Sequence, residues 1–346
     1  MKNLILTLLL LAKVSIGISQ NTIFIVQNDT IATIYYTLNE AVDSAVSGSV
    51  IYIPGGNFTL NKVIDKELHL RGAGIYPSAT TVTGQTNINV STAWNELITV
   101  GADGSTFEGI IFTSDVYTNS NAGMLENVIF DKCLFSQRFI IDMSNLSQGN
   151  IMRHCIFNTA NFNLVPIYLY NSIIINGAQS LQNANVKNCI FLAKNNNLWC
   201  APISSGVLHC TNPNYTIFEN CIFRQTTNVL LGIGNTYLNN LYGGTTLTSF
   251  PIGSSGNMFV NSLDSIFVNY STSETQFSYI FDYNLQTNSI GKNNGTDGTD
   301  VGIFGGTHPF PDGAVPIYPH IQTKNISSST NGNNLLNIQI TVEAQN

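Results

Sequence analysis

Short units of hydrophobic and polar positions recur along the middle of the chain. Each unit has an apolar residue, two polar residues, and then three positions of which the first and last are apolar. Four units carry Cys in one shared slot and end in Phe, and a fifth has Ile in that slot: residues 130–135, 152–157, 186–191, 218–223 and 107–112. This pattern predicts a strand, a tight bend and a second strand. Because such short strands cannot bury an apolar face alone, the units should stack along an axis.

The spacing of the units indicates a solenoid. Their closing Phe residues are 23, 22, 34 and 32 residues apart. A step of 22 or 23 fits one coil, and each longer step fits either two short coils or one coil with an inserted loop. A β-sandwich would show hairpin turn signals, which are scarce here. A solenoid also allows one domain at this length, so we predict an all-β solenoid domain over residues 20–320.

The segments on either side of the repeats carry a family resemblance. Residues 38–46 read as an amphipathic helix ended by Gly48, followed by "GSVIYIPGGNFTL" and "KELHLRGAG". This order resembles the capped first coils of right-handed parallel β-helix proteins of the pectin-lyase-like superfamily. Residues 281–306 resemble the closing segment of secreted bacterial β-helix proteins. The resemblance covers roughly residues 33–306 and implies a single-stranded right-handed parallel β-helix with an N-terminal capping helix. It implies little about activity, because this superfamily holds lyases, hydrolases, adhesins and inert spikes.

The first residues of the chain predict where the protein is located. Residues 1–19 have a positive start, an apolar run and small residues at Gly17 and Ser19, which is typical of a signal peptide cleaved after Ser19. The alternative is a buried N-terminal strand or helix, and the run is too short to span a membrane. We therefore predict a secreted or cell-surface protein with no transmembrane segment in the mature chain.

The C-terminal part of the chain should close the solenoid. The Pro-rich segment 308–316 should cap the last coil, and the tail 321–346 should form an edge strand or cap.

The amino-acid composition limits the classes of molecule that the protein could bind. Only 10% of the residues are charged, the net charge is −7, and the chain has four Arg and 45 Asn. With no basic patch, nucleic-acid binding is excluded.

The six cysteines fall into two groups. Cys133, Cys155, Cys189 and Cys221 share the apolar slot and should form one inward row. In-register strands lie ~4.8 Å apart, whereas a disulfide requires Cβ atoms ~3.8 Å apart, which favours free buried thiols. Cys200 and Cys210 flank an irregular stretch and could close a surface loop as a disulfide. No Cys pair has the close spacing of a zinc site.

Candidate chemistry lies at the bends. The outward bend positions place Asp131, Lys132, Arg153 and His154 on two successive coils. In a lyase, Arg153 or Lys132 would be the base that removes a proton beside a uronate carboxylate, and Asp131 would help to hold a cation. The favoured alternative is a ladder of solvent-exposed charge pairs, each worth about 0–1 kcal/mol.

The chain departs from the enzyme patterns of the superfamily. It lacks the acidic cluster of calcium-dependent pectate lyases, and it lacks the paired carboxylates of polygalacturonase-like hydrolases. Asp297 and Asp300 are weak calcium candidates that are equally ordinary turn residues. No other cofactor is indicated.

Three function classes remain open from the sequence. The favoured hypothesis is a non-catalytic extracellular β-helix that binds a polysaccharide or cell-surface glycan or takes part in adhesion. The alternatives are a polysaccharide lyase or glycoside hydrolase with an atypical site, and a purely structural repeat module.

Overall fold

The computed structural model describes residues 22–119, 125–142, 148–163, 165–193, 198–202, 208–244, 246–271 and 277–344. The predicted signal peptide, residues 1–19, lies outside this range and stays a prediction. Within the described range no helix has the length and apolar character needed to cross a membrane.

Almost all regular structure is β. The described residues contain one α-helix, α1 (Leu38–Ser44), and three short 3-10 turns at Ala93–Asn95, Leu263–Ser265 and Asp312–Ala314. The strands are β1 (Phe24–Asn28), β2 (Ile31–Tyr35), β3 (Ser49–Tyr52), β4 (Gly56–Leu60), β5 (Leu68–Arg71), β6 (Thr86–Val90), β7 (Glu96–Ile98), β8 (Thr106–Glu108), β9 (Ile110–Phe112), β10 (Val116–Asn119), β11 (Ile129–Asp131), β12 (Leu134–Asp142), β13 (Asn150–Arg153), β14 (Ile156–Asn161), β15 (Ile167–Tyr170), β16 (Ile173–Gln179), β17 (Asn185–Lys187), β18 (Ile190–Phe191), β19 (Cys200–Pro202), β20 (Leu208–Cys210), β21 (Ile217–Glu219), β22 (Ile222–Phe223), β23 (Thr236–Leu238), β24 (Leu241–Gly243), β25 (Met258–Val260), β26 (Phe267–Asn269), β27 (Asp282–Leu285), β28 (His320–Ile326) and β29 (Ile338–Glu343).

Two large sheets run along the molecule. Sheet A has the order β2-β1-β3-β5-β8-β11-β13-β15-β17-β21-β23, and it is parallel from β3 onward. Sheet B has the order β25-β24-β22-β18-β16-β14-β12-β9-β6-β4, with β7 and β10 joined beside β12. Each coil contributes one strand to each sheet, which gives a parallel β-solenoid of about nine coils. The prediction of an all-β solenoid is confirmed.

The two long steps between repeats have different causes. Between Phe157 and Phe191 the chain makes an extra coil of β15 and β16, and Ile174 pairs with both Phe residues in the register of sheet B. Between Phe191 and Phe223 the strands of sheet B are direct neighbours. That step instead contains an inserted hairpin of β19 and β20, in which Cys200 and Cys210 form a disulfide.

Stacked rings fill the core between the sheets. Phe135 lies between Phe112 and Phe157, with ring centroids 5.2 and 4.9 Å away. The stack stops at Ile174 and resumes with Phe191 and Phe223, whose centroids are 4.8 Å apart. Parallel in-register strands place like residues above one another, so the repeat pattern produces these stacks directly.

The four repeat cysteines are free and buried in the core. Their Sγ atoms donate hydrogen bonds to carbonyl oxygens of the preceding coil, for example from Cys133 to Phe107 (3.3 Å) and from Cys155 to Phe130 (3.4 Å). Ser172 interrupts the row in the extra coil. Burial, together with the hydrogen bond to Cys133, raises the pKa of Cys155 far above its ordinary value. These thiols therefore act as core groups and not as nucleophiles.

The helix α1 begins at a capping residue. The Thr37 hydroxyl accepts a hydrogen bond from the backbone N–H of Glu40, which satisfies a donor at the helix start. Leu38, Ala41 and Val42 are buried on its inner face, and the helix ends at Ser44, two residues before the predicted end.

The C-terminal strands are separate from the solenoid sheets. β28 and β29 pair only with each other, as an antiparallel hairpin with mostly exposed side chains.

Candidate functional site

In the seven coils from β8–β9 to β23–β24, one residue turns the chain from sheet A into sheet B, and we call these residues the bend column. Its members have positive φ angles between 43° and 68°: Gly109, Lys132, His154, Asn171, Asn188, Asn220 and Asn239. Gly and Asn adopt this left-handed conformation readily and His is also enriched there, whereas Lys adopts it less often. The bend column contains two of the four residues that the sequence singled out.

A long C-terminal segment covers the bend column. Residues 291–318, which we call the strap, run back along this flank from the late coils to the early ones. Over the late coils the side-chain amides bind the strap: Asn239 Nδ2 donates to the Asn294 carbonyl (2.9 Å), and Asn220 Oδ1 accepts from the N–H of Thr296 (2.9 Å). The Asn171 amide donates to the carbonyls of Ile303 and Gly305, at 2.9 and 2.8 Å.

The strap continues over the charged coils. His154 Nε2 lies 2.9 Å from the His308 carbonyl oxygen, and Glu108 Oε1 accepts from the N–H of Ile317 (3.3 Å). The Phe310 ring packs edge-on against the His154 ring. The expectation that residues 308–316 close the last coil is therefore wrong. They lie along the side of the solenoid because the early bend positions offer polar partners for their backbone.

The four predicted site residues meet beneath the strap. Asp131 is the centre: its Oδ1 is 2.8 Å from His154 Nδ1, and its Oδ2 is 2.9 Å from an Arg153 Nη and 3.7 Å from Lys132 Nζ. Lys132 Nζ also pairs with Glu108 Oε1 at 2.9 Å. We call these five residues the charged cluster.

The side chains of the charged cluster are less exposed than the favoured interpretation of the sequence predicted. The Lys132 side chain is only 3% exposed, and Glu108, Asp131 and His154 are buried as well. The charge pairs between coils are present, but they are mostly buried and not solvent-exposed as expected, with the Arg153 side chain (40% exposed) as the exception. The bend residues do point away from the core, but the strap excludes water from them.

The electrostatics of the charged cluster favour ionised Asp131. Burial by itself raises the pKa of Asp131, but the hydrogen bond from His154 and the positive charges of Lys132, His154 and Arg153 outweigh it, so the pKa lies below the ordinary Asp value. Both ring nitrogens of His154 face acceptors, the Asp131 carboxylate and the His308 carbonyl.

Both candidate bases of the charged cluster are paired. A base for β-elimination must reach the substrate. Lys132 is buried and paired, whereas Arg153 pairs with Asp131 but has a side chain that is 40% exposed. Asp131 itself is engaged by three cations. Across the described ranges, no three His, Cys, Asp or Glu side chains gather where a metal ion would be held.

The two weak calcium candidates are engaged inside the strap. Asp300 pairs with Lys292 (2.6 Å) and accepts from the N–H of Asn293 (3.0 Å). Asp297 Oδ1 accepts from the N–H and hydroxyl of Thr299, at 3.0 and 2.7 Å. Burial slightly opposes ionisation of Asp297, but these hydrogen bonds prevail and lower its pKa. The carboxylates act here as turn-forming acceptors.

The outer face of sheet A carries exposed rings that our sequence analysis missed. Tyr168 (42% exposed) and Tyr170 lie on β15 with ring centroids 5.9 Å apart. Ile217 lies on β21, and Tyr215 (56% exposed) is at the bend two residues before it. We call these four residues the tyrosine face. The signal for it was the alternation in residues 167–170, which places Ile167 and Leu169 inside and the two Tyr outside.

Tyr215 has an unusual backbone for a bulky residue. Its φ is +50°, in the left-handed region. Its ring lies against Gly234, where an added Cβ would come within 2.5 Å of the ring. Gly234 therefore provides the space that keeps the ring flat on the surface of the next coil.

Comparison with known proteins does not assign the chain to a family. No protein-family model matches the chain, and no curated protein matches it.

Proposed function

We propose that the protein is a secreted, non-catalytic β-helix protein that binds a polysaccharide or cell-surface glycan. The observation that carries this proposal is the contrast between two surfaces. Four of the five residues of the charged cluster, which holds the best candidate acid–base groups, are buried, and its charges are paired with one another. The exception to burial is Arg153, whose side chain is 40% exposed but pairs with Asp131. The tyrosine face is open to solvent.

The tyrosine face suits a sugar ligand. Aromatic rings offer flat apolar surfaces for the C–H faces of sugar rings, and the Tyr hydroxyls offer hydrogen bonds. Tyr168 and Ile217 are separated by one strand, because Asn185 pairs with both, so they lie about 10 Å apart along the stack. The nearby cations are paired, Lys187 with Glu219 (2.6 Å) and Arg153 with Asp131 (2.9 Å). A nearly neutral aromatic surface favours a hydroxyl-rich, extended ligand.

Export and family membership belong to the same proposal. Residues 1–19 support export through their signal-like pattern, and a disulfide at Cys200 and Cys210 is typical of an oxidising location. The helix α1 before the first coil and the parallel solenoid support membership of the right-handed β-helix proteins of the pectin-lyase-like superfamily. In that family α1 would be the N-terminal cap.

Affinity electrophoresis tests the binding proposal. The purified protein would be run in native gels that contain arabinoxylan, galactomannan, β-glucan or polygalacturonate. At least one polysaccharide should retard it. The double variant Tyr168→Ala/Tyr215→Ala should bind about tenfold more weakly, since each ring contact is worth about 0.5–1.5 kcal/mol.

A matched control keeps this test specific. Tyr36 is 60% exposed and lies outside the tyrosine face, so Tyr36→Ala should be retarded like the unaltered protein. Absence of retardation in every gel, or equal retardation of the double variant, would overturn the proposal.

A lyase assay tests the alternative. We expect no ultraviolet-absorbing unsaturated product from polygalacturonate, with or without calcium, because loss of one electrostatic stabiliser typically costs 10²–10³ in rate. Product that forms with purified protein and disappears in Arg153→Ala would establish the lyase in place of the binding protein.

A further inference from the structure

A cavity lies at the start of the solenoid, apart from both surfaces discussed above. It is bounded by the outer side of the first strands of sheet A and by the end of the strap, and its volume is about 340 Å³. Its apolar wall includes Ile23, Ile25, Pro316, Pro319 and Ile321. This volume and lining are those of a small-molecule site.

Arg71 is the cationic group of this cavity. Its guanidinium carbon lies 3.4 Å from the centre of the Tyr318 ring and 5.7 Å from that of Tyr52. One Nη donates to the Tyr52 hydroxyl (3.3 Å), which in turn lies 3.2 Å from Gln27 Oε1. Two rings and one hydrogen bond therefore fix the plane of the guanidinium, as binding of a planar ligand group requires.

The fixed guanidinium has no counter-ion in the described ranges. Every ion pair found there involves other side chains, and none includes Arg71. Sheet A pairs Arg71 with Glu108, but that carboxylate binds Lys132 and the strap instead. His320 lines the same cavity, and its buried Nδ1 has no hydrogen-bond partner there. Arg71 and His320 thus line one largely apolar cavity.

We propose that this cavity binds a monocarboxylic acid with an apolar body, such as a medium-chain aliphatic or an arylalkyl acid. The guanidinium fork matches the two oxygens of a carboxylate and binds them with charge-assisted hydrogen bonds. The isoleucine and proline wall takes up the hydrocarbon part. One cation balances one negative charge, so a phosphate monoester, with nearly two charges, fits less well.

This site is independent of the proposed glycan binding. Arg71 is on β5 and Tyr170 on β15, four strands apart in sheet A, or about 19 Å. A variant at Arg71 should leave polysaccharide retardation unchanged.

Isothermal titration calorimetry with octanoate and 3-phenylpropionate tests the proposal. At least one acid should bind saturably in the millimolar range or tighter, and its alcohol, 1-octanol or 3-phenylpropanol, should bind at least tenfold more weakly. Arg71→Gln should weaken the acid at least tenfold. Lys324→Gln, which removes an exposed positive charge from the adjacent hairpin, should leave it unchanged.

Other outcomes would overturn the proposal. These are no saturable binding of either acid, equal binding of acid and alcohol, an unchanged affinity in Arg71→Gln, or tighter binding of octyl phosphate than of octanoate. If Arg71→Gln does not fold, Ile321→Glu provides the second variant. Its carboxylate on the cavity wall should occupy Arg71 and abolish acid binding, and retained binding would again overturn the proposal.

Discussion

The early and late halves of the bend column hold the same strap by different chemistry. In the late half, Asn171, Asn220 and Asn239 bind strap backbone through neutral amides. In the early half, His154 contacts the strap within a cluster of five ionisable side chains. The backbone conformation is left-handed in both halves. The same left-handed bend is therefore compatible with either neutral amides or charged side chains, provided that each buried polar group has a partner.

The two halves differ in how much unfolding free energy is lost when a buried group loses its partner. A buried amide that loses its partner costs about 1–3 kcal/mol, whereas a buried charge left without its partner costs about 3–5 kcal/mol. The late half should therefore tolerate change better than the early half, and among the bend residues themselves only Lys132 and His154 of the early half carry ionisable side chains.

Removal of the central carboxylate should give the largest effect. Asp131→Ala leaves Lys132, Arg153 and His154 with an excess of positive charge beneath the strap, and should destabilise by about 3–5 kcal/mol. The matched change in the late half, Asn220→Ala, should cost about 1–3 kcal/mol. Urea unfolding followed by circular dichroism measures both, and equal losses would remove the distinction between the halves.

Acid should weaken the early half through Asp131, by less than deletion of Asp131 does. The pKa of Asp131 is lower in the folded protein than its ordinary value of about 3.9. Its stabilisation is therefore fully present above pH 4–5 and is lost as the pH falls through the folded pKa. Unfolding free energies at several pH values should fall less steeply for Asp131→Asn than for the unaltered protein. Parallel curves would show that Asp131 is not the acid-sensitive group.

Two neighbouring asparagines isolate the strap contact itself. Asn171 and Asn188 are both buried and left-handed, and both pack against the strap, Asn188 with its amide at Gly306. Among the described contacts, Asn171 alone of the two donates hydrogen bonds to strap carbonyls. Because Gly also adopts this conformation freely, Asn171→Gly should cost about 1–3 kcal/mol more than Asn188→Gly, which should be nearly neutral. Thermal unfolding compares the pair. A larger loss at Asn188 would mean that the amides do not hold the strap.

The smallest effect should come from the partly exposed pair beside the bend column. Lys187 and Glu219 are 2.6 Å apart, but the Lys187 side chain is 39% exposed. Lys187→Ala should therefore change the unfolding free energy by less than about 1 kcal/mol. A loss as large as that of Asp131→Ala would place Lys187 with the buried charges.

The repeat pattern predicted the coils that carry the Cys–Phe signature, left the coil of β15 and β16 open as one of two interpretations of a long step, and missed the coil of β23 and β24. The coil of β15 and β16 has Ser172 and Ile174 where other units have Cys and Phe, and the coil of β23 and β24 has Asn240 and Tyr242. A search tied to the Cys–Phe signature passes over both. Their apolar alternation alone would have predicted them.

The strap was not predictable from the same pattern. Its contacts join residues far apart in the chain, such as Asn220 with Thr296 and Glu108 with Ile317, which are 76 and 209 positions apart. The Gly-rich stretch 291–306 has no period of its own, so the sequence placed the bend residues outside the core but could not show what covers them.

The strap also changes how the molecule should fold. In an ordinary solenoid each coil contacts only its neighbours, so stability is a sum of local terms and the ends can fray separately. Here one segment binds coils from that of Asn239 to that of Arg71, and so joins units that never touch. Its docking positions exist only after those coils have stacked, which makes its docking a late step with a high sequence separation. Once the strap is docked, unfolding of one coil also removes strap contacts that stabilise the other coils. The array therefore unfolds more nearly as a single cooperative unit.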